Sequence, residues 1–255
     1  MQTKTIVLIH GLFVNNTSWK QWKSFFEKKG YTVYAPANPG HDGHPAALRN
    51  STHPELTKTG FKDVVMNIVS LIDTLPEKPI VIGHSLAGLV VQKLIEMNKA
   101  VAGISIDGAP PKNVFAPLDT IKVVLPVVNP FKGSTPFMGS KEWYHNAFFN
   151  NYNRAESDVF YEEIAVPESR KIARDTLLDS FAKIDFKKAH NPLLFIGGEH
   201  DHIFSSIFTK KIAANYKHTA SITDFKEFKG RSHFICGEKG WEEVANYVAD
   251  WIQKL

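Results

Sequence analysis

Ser85 stands in Gly83-His84-Ser85-Leu86-Ala87-Gly88, directly after the apolar run Pro79-Ile80-Val81-Ile82. A lone serine hydroxyl is a weak nucleophile. It attacks a carbonyl only when an imidazole takes its proton, and the imidazole needs an acid to hold its tautomer and orientation. The chain supplies both further on. Lys229-Gly230-Arg231-Ser232-His233-Phe234 holds the one histidine of its loop, and Gly198-Glu199-His200-Asp201-His202 holds two acids. Asp107, in Asp107-Gly108-Ala109-Pro110-Pro111, is another candidate acid. The chemistry open to such a set is acyl transfer through a covalent serine intermediate, with Ser85 as nucleophile and His233 as proton shuttle. Asp201, Asp107 or Glu199 would orient the ring.

Those side chains need elements that lift them to one rim. Residues 79–82 read as a strand buried on both faces, and the small, unbroken apolar run after Ser85 reads as a helix packed closely on a sheet. A strand that becomes a helix within one or two residues strains its central residue, so its neighbours must be small. Gly83 and Ala87 meet that need two positions before and two after the serine. The result is a nucleophile elbow in which Ala87 replaces the second glycine of Gly-x-Ser-x-Gly.

Strand and helix patterns alternate on either side. Residues 5–9 read as a strand leading into His10-Gly11-Leu12-Phe13. A helix follows with Trp19, Trp22, Phe25 and Phe26 on one face, capped by Ser18 and stopped by Gly30. Residues 31–36 read as a strand, 38–60 as a loop with little pattern, and 61–72 as an amphipathic helix ending before Pro76. A strand at 101–106, another at 192–197, a helix near 207–216, a strand near 221–228 and a final helix over 241–252 complete the series. Such alternation implies an α/β fold with a mostly parallel sheet of about six strands. Between 111 and 185 the rhythm stops. Prolines at 117, 126, 130 and 136 precede the aromatics Trp143, Tyr144, Phe148, Phe149 and Tyr152, then helical stretches near 156–165 and 168–183. This segment is too aromatic for disorder and reads as an inserted, mostly helical cap on a core made of 1–110 and 186–255.

Composition narrows the function. The 255 residues are 43% hydrophobic and 22% charged, enough for one large domain with a full core. The net charge of +4 comes from scattered lysines, paired at most as in Lys28-Lys29, so no nucleic-acid surface is expected. No apolar run approaches a membrane span. The single cysteine, Cys236, leaves no internal disulfide, and the first strand begins with no signal peptide before it, so a cytoplasmic location is expected. His200 with His202, and His41 with His44, have no third ligand at a regular spacing, so neither a metal nor another cofactor is expected. Oligomeric state is not readable.

The elbow, His10-Gly11 after the first strand, Gly197-Gly198-Glu199-His200-Asp201 after a late strand and Gly230-Arg231-Ser232-His233-Phe234 before the last helix together resemble the α/β-hydrolase fold superfamily. The resemblance spans nearly the whole chain, with the first two strands of the full fold missing. It implies a triad of Ser85, His233 and Asp201, and an oxyanion hole formed by the backbone N–H groups of Leu12 and Leu86. It also implies a small-molecule substrate, a carboxylic ester or lactone, met by Phe13, His84, Trp143 and Phe234, with His84 packing or hydrogen-bonding locally rather than reacting. Relatives use the same scaffold for carbon–carbon bond hydrolysis, cofactor-free perhydrolysis or hormone reception without turnover. The serine argues against dehalogenases and epoxide hydrolases, which use an aspartate. Phe234 argues against plant-type hydroxynitrile lyases, which carry lysine after the histidine.

Overall fold

Successive side chains of a strand point to opposite faces of a sheet, so a strand apolar at every position needs cover on both sides. The computed structural model describes residues 3–255 and has six strands: β1 (Thr5–Ile9), β2 (Thr32–Tyr34), β3 (Ile80–His84), β4 (Ala102–Ile106), β5 (Leu193–Gly198) and β6 (Thr223–Phe228). They form one parallel sheet in the order β2-β1-β3-β4-β5-β6. The four inner strands are buried at every residue, and the register pairs Val7 with Val81, Ile82 with Ile104, and Ile104 with Leu194.

The helices in chain order are α1 (Lys20–Lys28), α2 (Pro45–Asn50), α3 (Phe61–Ile72), α4 (Leu86–Glu96), α5 (Leu118–Val128), α6 (Lys141–Ala147), α7 (Arg154–Ile164), α8 (Arg170–Leu178), α9 (Ser206–Ala213) and α10 (Trp241–Gln253). One face of the sheet presents Ile6, Leu8, Ile82, Ile104 and Ile196 to Trp22 and Phe26 of α1 and to Val244, Val248 and Trp251 of α10. The other presents Val7, Ile9, Val81 and Phe195 to α3, α4 and α9. Each large side chain sealed this way contributes roughly 1.5–3 kcal/mol. Among the described residues, no helix is long and apolar enough to cross a membrane.

Several elements depart from the sequence expectation, each for a local reason. The strand expected over 31–36 keeps only Thr32–Tyr34, at the sheet edge. The loop expected over 38–60 contains α2, started by Pro45 at its first turn and by His44 Nδ1 accepting the Ala46 N–H. The helix expected over 168–183 ends at Leu178, where Asp179 turns out of helical geometry and its carboxylate accepts the Phe181 N–H. α5 forms despite Pro126 in its last turn. Its C-terminal carbonyls are taken by guanidinium groups of α8: Arg170 bonds those of Pro126 and Val127, and Arg174 those of Val128 and Asn129.

The segment carrying α5–α8 reaches the loops at the C-terminal ends of the strands. The Tyr144 hydroxyl and the Val166 N–H both bond the Phe13 carbonyl beyond β1. Asn150 and Asn151 bond the carbonyls of His200 beyond β5 and Gly230 beyond β6.

Candidate active site

The turn from β3 into α4 places Ser85 at φ 59°, ψ −125°, a conformation that a non-glycine residue rarely adopts. Its neighbours make room. A Cβ added to Gly83 would lie 2.3 Å from the Ala87 carbonyl oxygen, so only glycine fits there. A Cβ on Gly11 would lie 2.7 Å from Ser85 Cβ, so the loop after β1 can press its backbone against the serine only because residue 11 lacks one.

Two further loops converge on this point. Ser85 Oγ lies 3.0 Å from His233 Nε2, and His233 Nδ1 lies 2.7 Å from Asp201 Oδ2. A carboxylate only accepts, so Nδ1 carries the ring proton and Nε2 is free to take the hydroxyl's. Asp201 Oδ1 accepts the backbone N–H groups of Ile203 and Phe204 at 2.6 and 3.0 Å, which fixes the carboxylate's direction. Phe148 packs edge-on against the His233 ring at 4.9 Å, and the whole row is buried. Such a row can draw a proton from the hydroxyl onto the ring while the carboxylate balances the charge.

Asp107 and Glu199 are placed elsewhere. Glu199 is tied to Lys229 and the Gly230 N–H at the surface. Asp107 is fully buried at the end of β4, where Oδ1 accepts the Gly198 N–H at 2.7 Å and Oδ2 has no partner. Burial first, then the nearby Asp201 charge, pushes its carboxyl well above the ordinary range.

The backbone donors also have defined settings. His10 Nε2 accepts the Asn38 N–H, so Nδ1 carries the proton and donates to the Gly11 carbonyl at 2.8 Å. Burial, then the charge of His41, lowers the His10 pKa to about 3 and keeps that ring neutral. Fixing the Gly11 carbonyl turns the Leu12 N–H of the same trans peptide the opposite way. The Leu86 N–H is at the first residue of α4, beside Ser85. Among the described residues, neither N–H is engaged by an acceptor.

A cavity of about 130 Å³ opens beside Ser85, lined by Leu12, Phe13, Leu86, Trp143, Phe148, Phe204 and one side of α5 and α8. A larger, more open groove of about 760 Å³ lies across α5, and neither Ser85 nor His233 lines it. Of the aromatics expected to meet substrate, Phe13 and Trp143 reach the cavity beside the serine. Phe234 does not: its ring packs on Phe149 and Phe160. His84 also turns away, donating from Nε2 to the His233 carbonyl at 2.8 Å, and burial, then the His233 charge, lowers its pKa to about 3. The contribution of α5 escaped the sequence reading. Thr120, Val124 and Val127 recur at helical spacing along the cavity, a stripe that Pro126 disguised.

The histidine pairs do not converge. His202 Nδ1 contacts the Asn146 carbonyl, His200 contacts Asn151, His44 caps α2 and His41 pairs with Glu168. Among the described residues, the single trio with ligand atoms within 4.8 Å of one another is His84, Asp107 and His233. Both His233 nitrogens are already committed to Asp201 and Ser85, so the trio does not suit a metal. The Cys236 thiol is buried and pushed well up by that burial, which leaves it unreactive.

No curated protein sequence matches the chain. Solved structures do. Polyneuridine aldehyde esterase superposes with a TM-score of 0.70 at 17% identity, covering 98% of this chain and 99% of that one. A methylesterase from Arabidopsis gives 0.71 at 14% identity, covering 98% and 99%. A monoacylglycerol lipase from Paleococcus ferrophilus gives 0.68 at 20% identity, covering 98% and 95%. At these identities the likeness is one of fold. The sequence itself goes further: the model of the Alpha/beta hydrolase family matches residues 6–247, and the chain therefore belongs to that family.

Proposed function

We propose that the protein is a serine hydrolase that cleaves a small carboxylic ester or lactone through an acyl-enzyme on Ser85. The observation that carries this reading is the buried row Ser85–His233–Asp201, closed at 3.0 and 2.7 Å, opening onto an apolar cavity. Ser85 Oγ attacks the carbonyl carbon as His233 Nε2 takes its proton, and the imidazolium forms against Asp201. The carbonyl oxygen, now negative, is met by the N–H groups of Leu12 and Leu86. Collapse expels the alcohol with the proton held on His233. Water, activated by the same ring, then releases the acid.

In this reading 111–185 is a cap that shapes the substrate space over a core made of 1–110 and 186–255, with Phe13 and Trp143 in contact with substrate. Cys236, buried and without a disulfide partner, is consistent with a cytoplasmic setting. Esterase and lipase names among the similar folds support the choice of reaction.

A fluorophosphonate probe and a panel of chromogenic esters test the proposal. Wild type should be labelled and should turn over at least one ester. Ser85→Ala should lose labelling and at least about a thousandfold in kcat. Absence of labelling in wild type, or equal labelling of Ser85→Ala, removes it.

A further inference from the structure

The Leu12 N–H can meet an oxyanion only if the loop after β1 keeps one shape, and that loop contains a strained residue. Phe13 has φ 69°, in the left-handed region that a bulky side chain avoids. Both halves of its backbone are held from the segment between β4 and β5. The Phe13 N–H donates to Glu168 Oε2 at 3.3 Å. The Phe13 carbonyl accepts the Tyr144 hydroxyl at 2.7 Å and the Val166 N–H at 3.1 Å.

Glu168 is fully buried, and its other oxygen accepts the Ser169 N–H at 2.7 Å. A buried carboxylate needs a counter-charge. His41, from the loop after β2 and equally buried, supplies it with Nε2 3.1 Å from Glu168 Oε2, an ion pair set off the line of a straight hydrogen bond. His41 Nδ1 faces the Pro39 carbonyl at 3.2 Å, so both ring nitrogens face acceptors and both carry protons. Burial opposes that charge, but the Glu168 carboxylate and the carbonyls of Pro39 and Pro167 outweigh it and raise the His41 pKa. The chemistry drawn above for Ser85, His233 and Asp201 uses neither member of this pair.

We propose that Glu168, charge-balanced by His41, is a positioning residue that locks the Leu12–Phe13 backbone in the shape that aims the Leu12 N–H at the reacting carbonyl oxygen. The proposal rests on the reading of Ser85 as the nucleophile. An interaction that counts only once the oxyanion forms affects kcat and leaves substrate binding nearly alone.

The test is Glu168→Gln, which keeps the size and an acceptor for the Phe13 N–H but removes the charge. With folding checked by circular dichroism, kcat on a chromogenic ester should fall roughly ten- to hundredfold while KM stays within about threefold. The rate of fluorophosphonate capture at Ser85 should fall in parallel, because that step also builds an anionic oxygen. In His41→Gln/Glu168→Gln the loss should not exceed that of the single change by more than about twofold, since both act on one lock. An unchanged kcat, or a loss confined to KM, overturns the proposal. Should Glu168→Gln fail to fold, Tyr144→Phe, which drops one bond to the Phe13 carbonyl, carries the test: a kcat lowered by about threefold or more at constant KM supports the lock, and an unchanged kcat refutes it. If wild type is not captured by the probe at all, the hydrolase reading fails; if wild type and Glu168→Gln are captured at equal rates, only the lock fails.

Discussion

Three donors converge on the Asp201 carboxylate, the His233 ring and two backbone N–H groups, whereas Asp107 has one donor and an oxygen with none. The two acids therefore differ in what an amide does to them. Asp201→Asn puts an NH₂ or a poorly directed oxygen against Nδ1, favours the wrong ring tautomer, and should cost about 10⁴ in kcat with the fold intact. Asp107→Asn should leave kcat within about threefold and act on stability instead. The sign follows from burial. The Asp107 pKa is raised above its ordinary value of 3.8, so the folded state holds a proton that the unfolded state releases. Its contribution is intact below that value and is lost as pH rises toward the folded-state pKa. Urea unfolding of Asp107→Asn and wild type should show the variant gaining on wild type as pH rises above about 4. A gap that stays constant with pH would mean that Asp107 is not held neutral.

At the scale of elements, the join of β3 and α4 leaves no room for a side chain at Gly83. Gly83→Ala places a methyl group 2.3 Å from the Ala87 carbonyl oxygen, a backbone atom fixed in the first turn of the helix. The elbow must open to admit it. The expected loss is about 3 kcal/mol in urea unfolding together with most activity, and a variant as stable as wild type would show that the turn has slack. This element was legible in the sequence because its constraint is local: Gly83, Ser85 and Ala87 act within five residues. The four inner strands were legible for a related reason, since a strand covered on both faces is apolar throughout. The order of the Ser85, Asp201 and His233 loops was visible as well. What stayed hidden depends on partners far along the chain. α5 looked like a proline-broken stretch because nothing near it announces that Arg170 and Arg174 receive its last carbonyls. Glu168 read as the start of a helical stretch and His41 as one of a histidine pair without a third ligand, because only the fold brings the two to 3.1 Å in a dry setting. His84 and Phe234 sit beside the right residues in sequence and still face away from the cavity, since adjacent positions in a tight turn diverge.

At the scale of the whole molecule, the cavity of about 130 Å³ at Ser85 lies between two layers, the loops at the strand ends and the segment carrying α5–α8. The side-chain donors on the walls formed by α5, α6 and α8 are already engaged. The Thr120 hydroxyl donates to the Ile203 carbonyl, the Thr176 hydroxyl to the Ala173 carbonyl, and the Trp143 indole N–H to the Val123 carbonyl. An acceptor or a negative charge on the part of a substrate lodged there would lose its water and find no free donor among these side chains, at a cost of about 1–3 kcal/mol. Esters with a plain hydrocarbon group in that position should thus exceed analogues carrying a ketone or a carboxylate there by about tenfold or more in kcat/KM. The same packing says where length is limited. Ala173, on α8, lines the cavity together with Thr176 and Leu177, and Ala173→Phe takes up space on that wall. Hydrolysis of the longer esters should fall by about tenfold in kcat/KM while the acetate ester stays within about twofold. If acetate and longer esters fall together, the hydrocarbon group does not lie between the two layers and the cavity is not the specificity pocket.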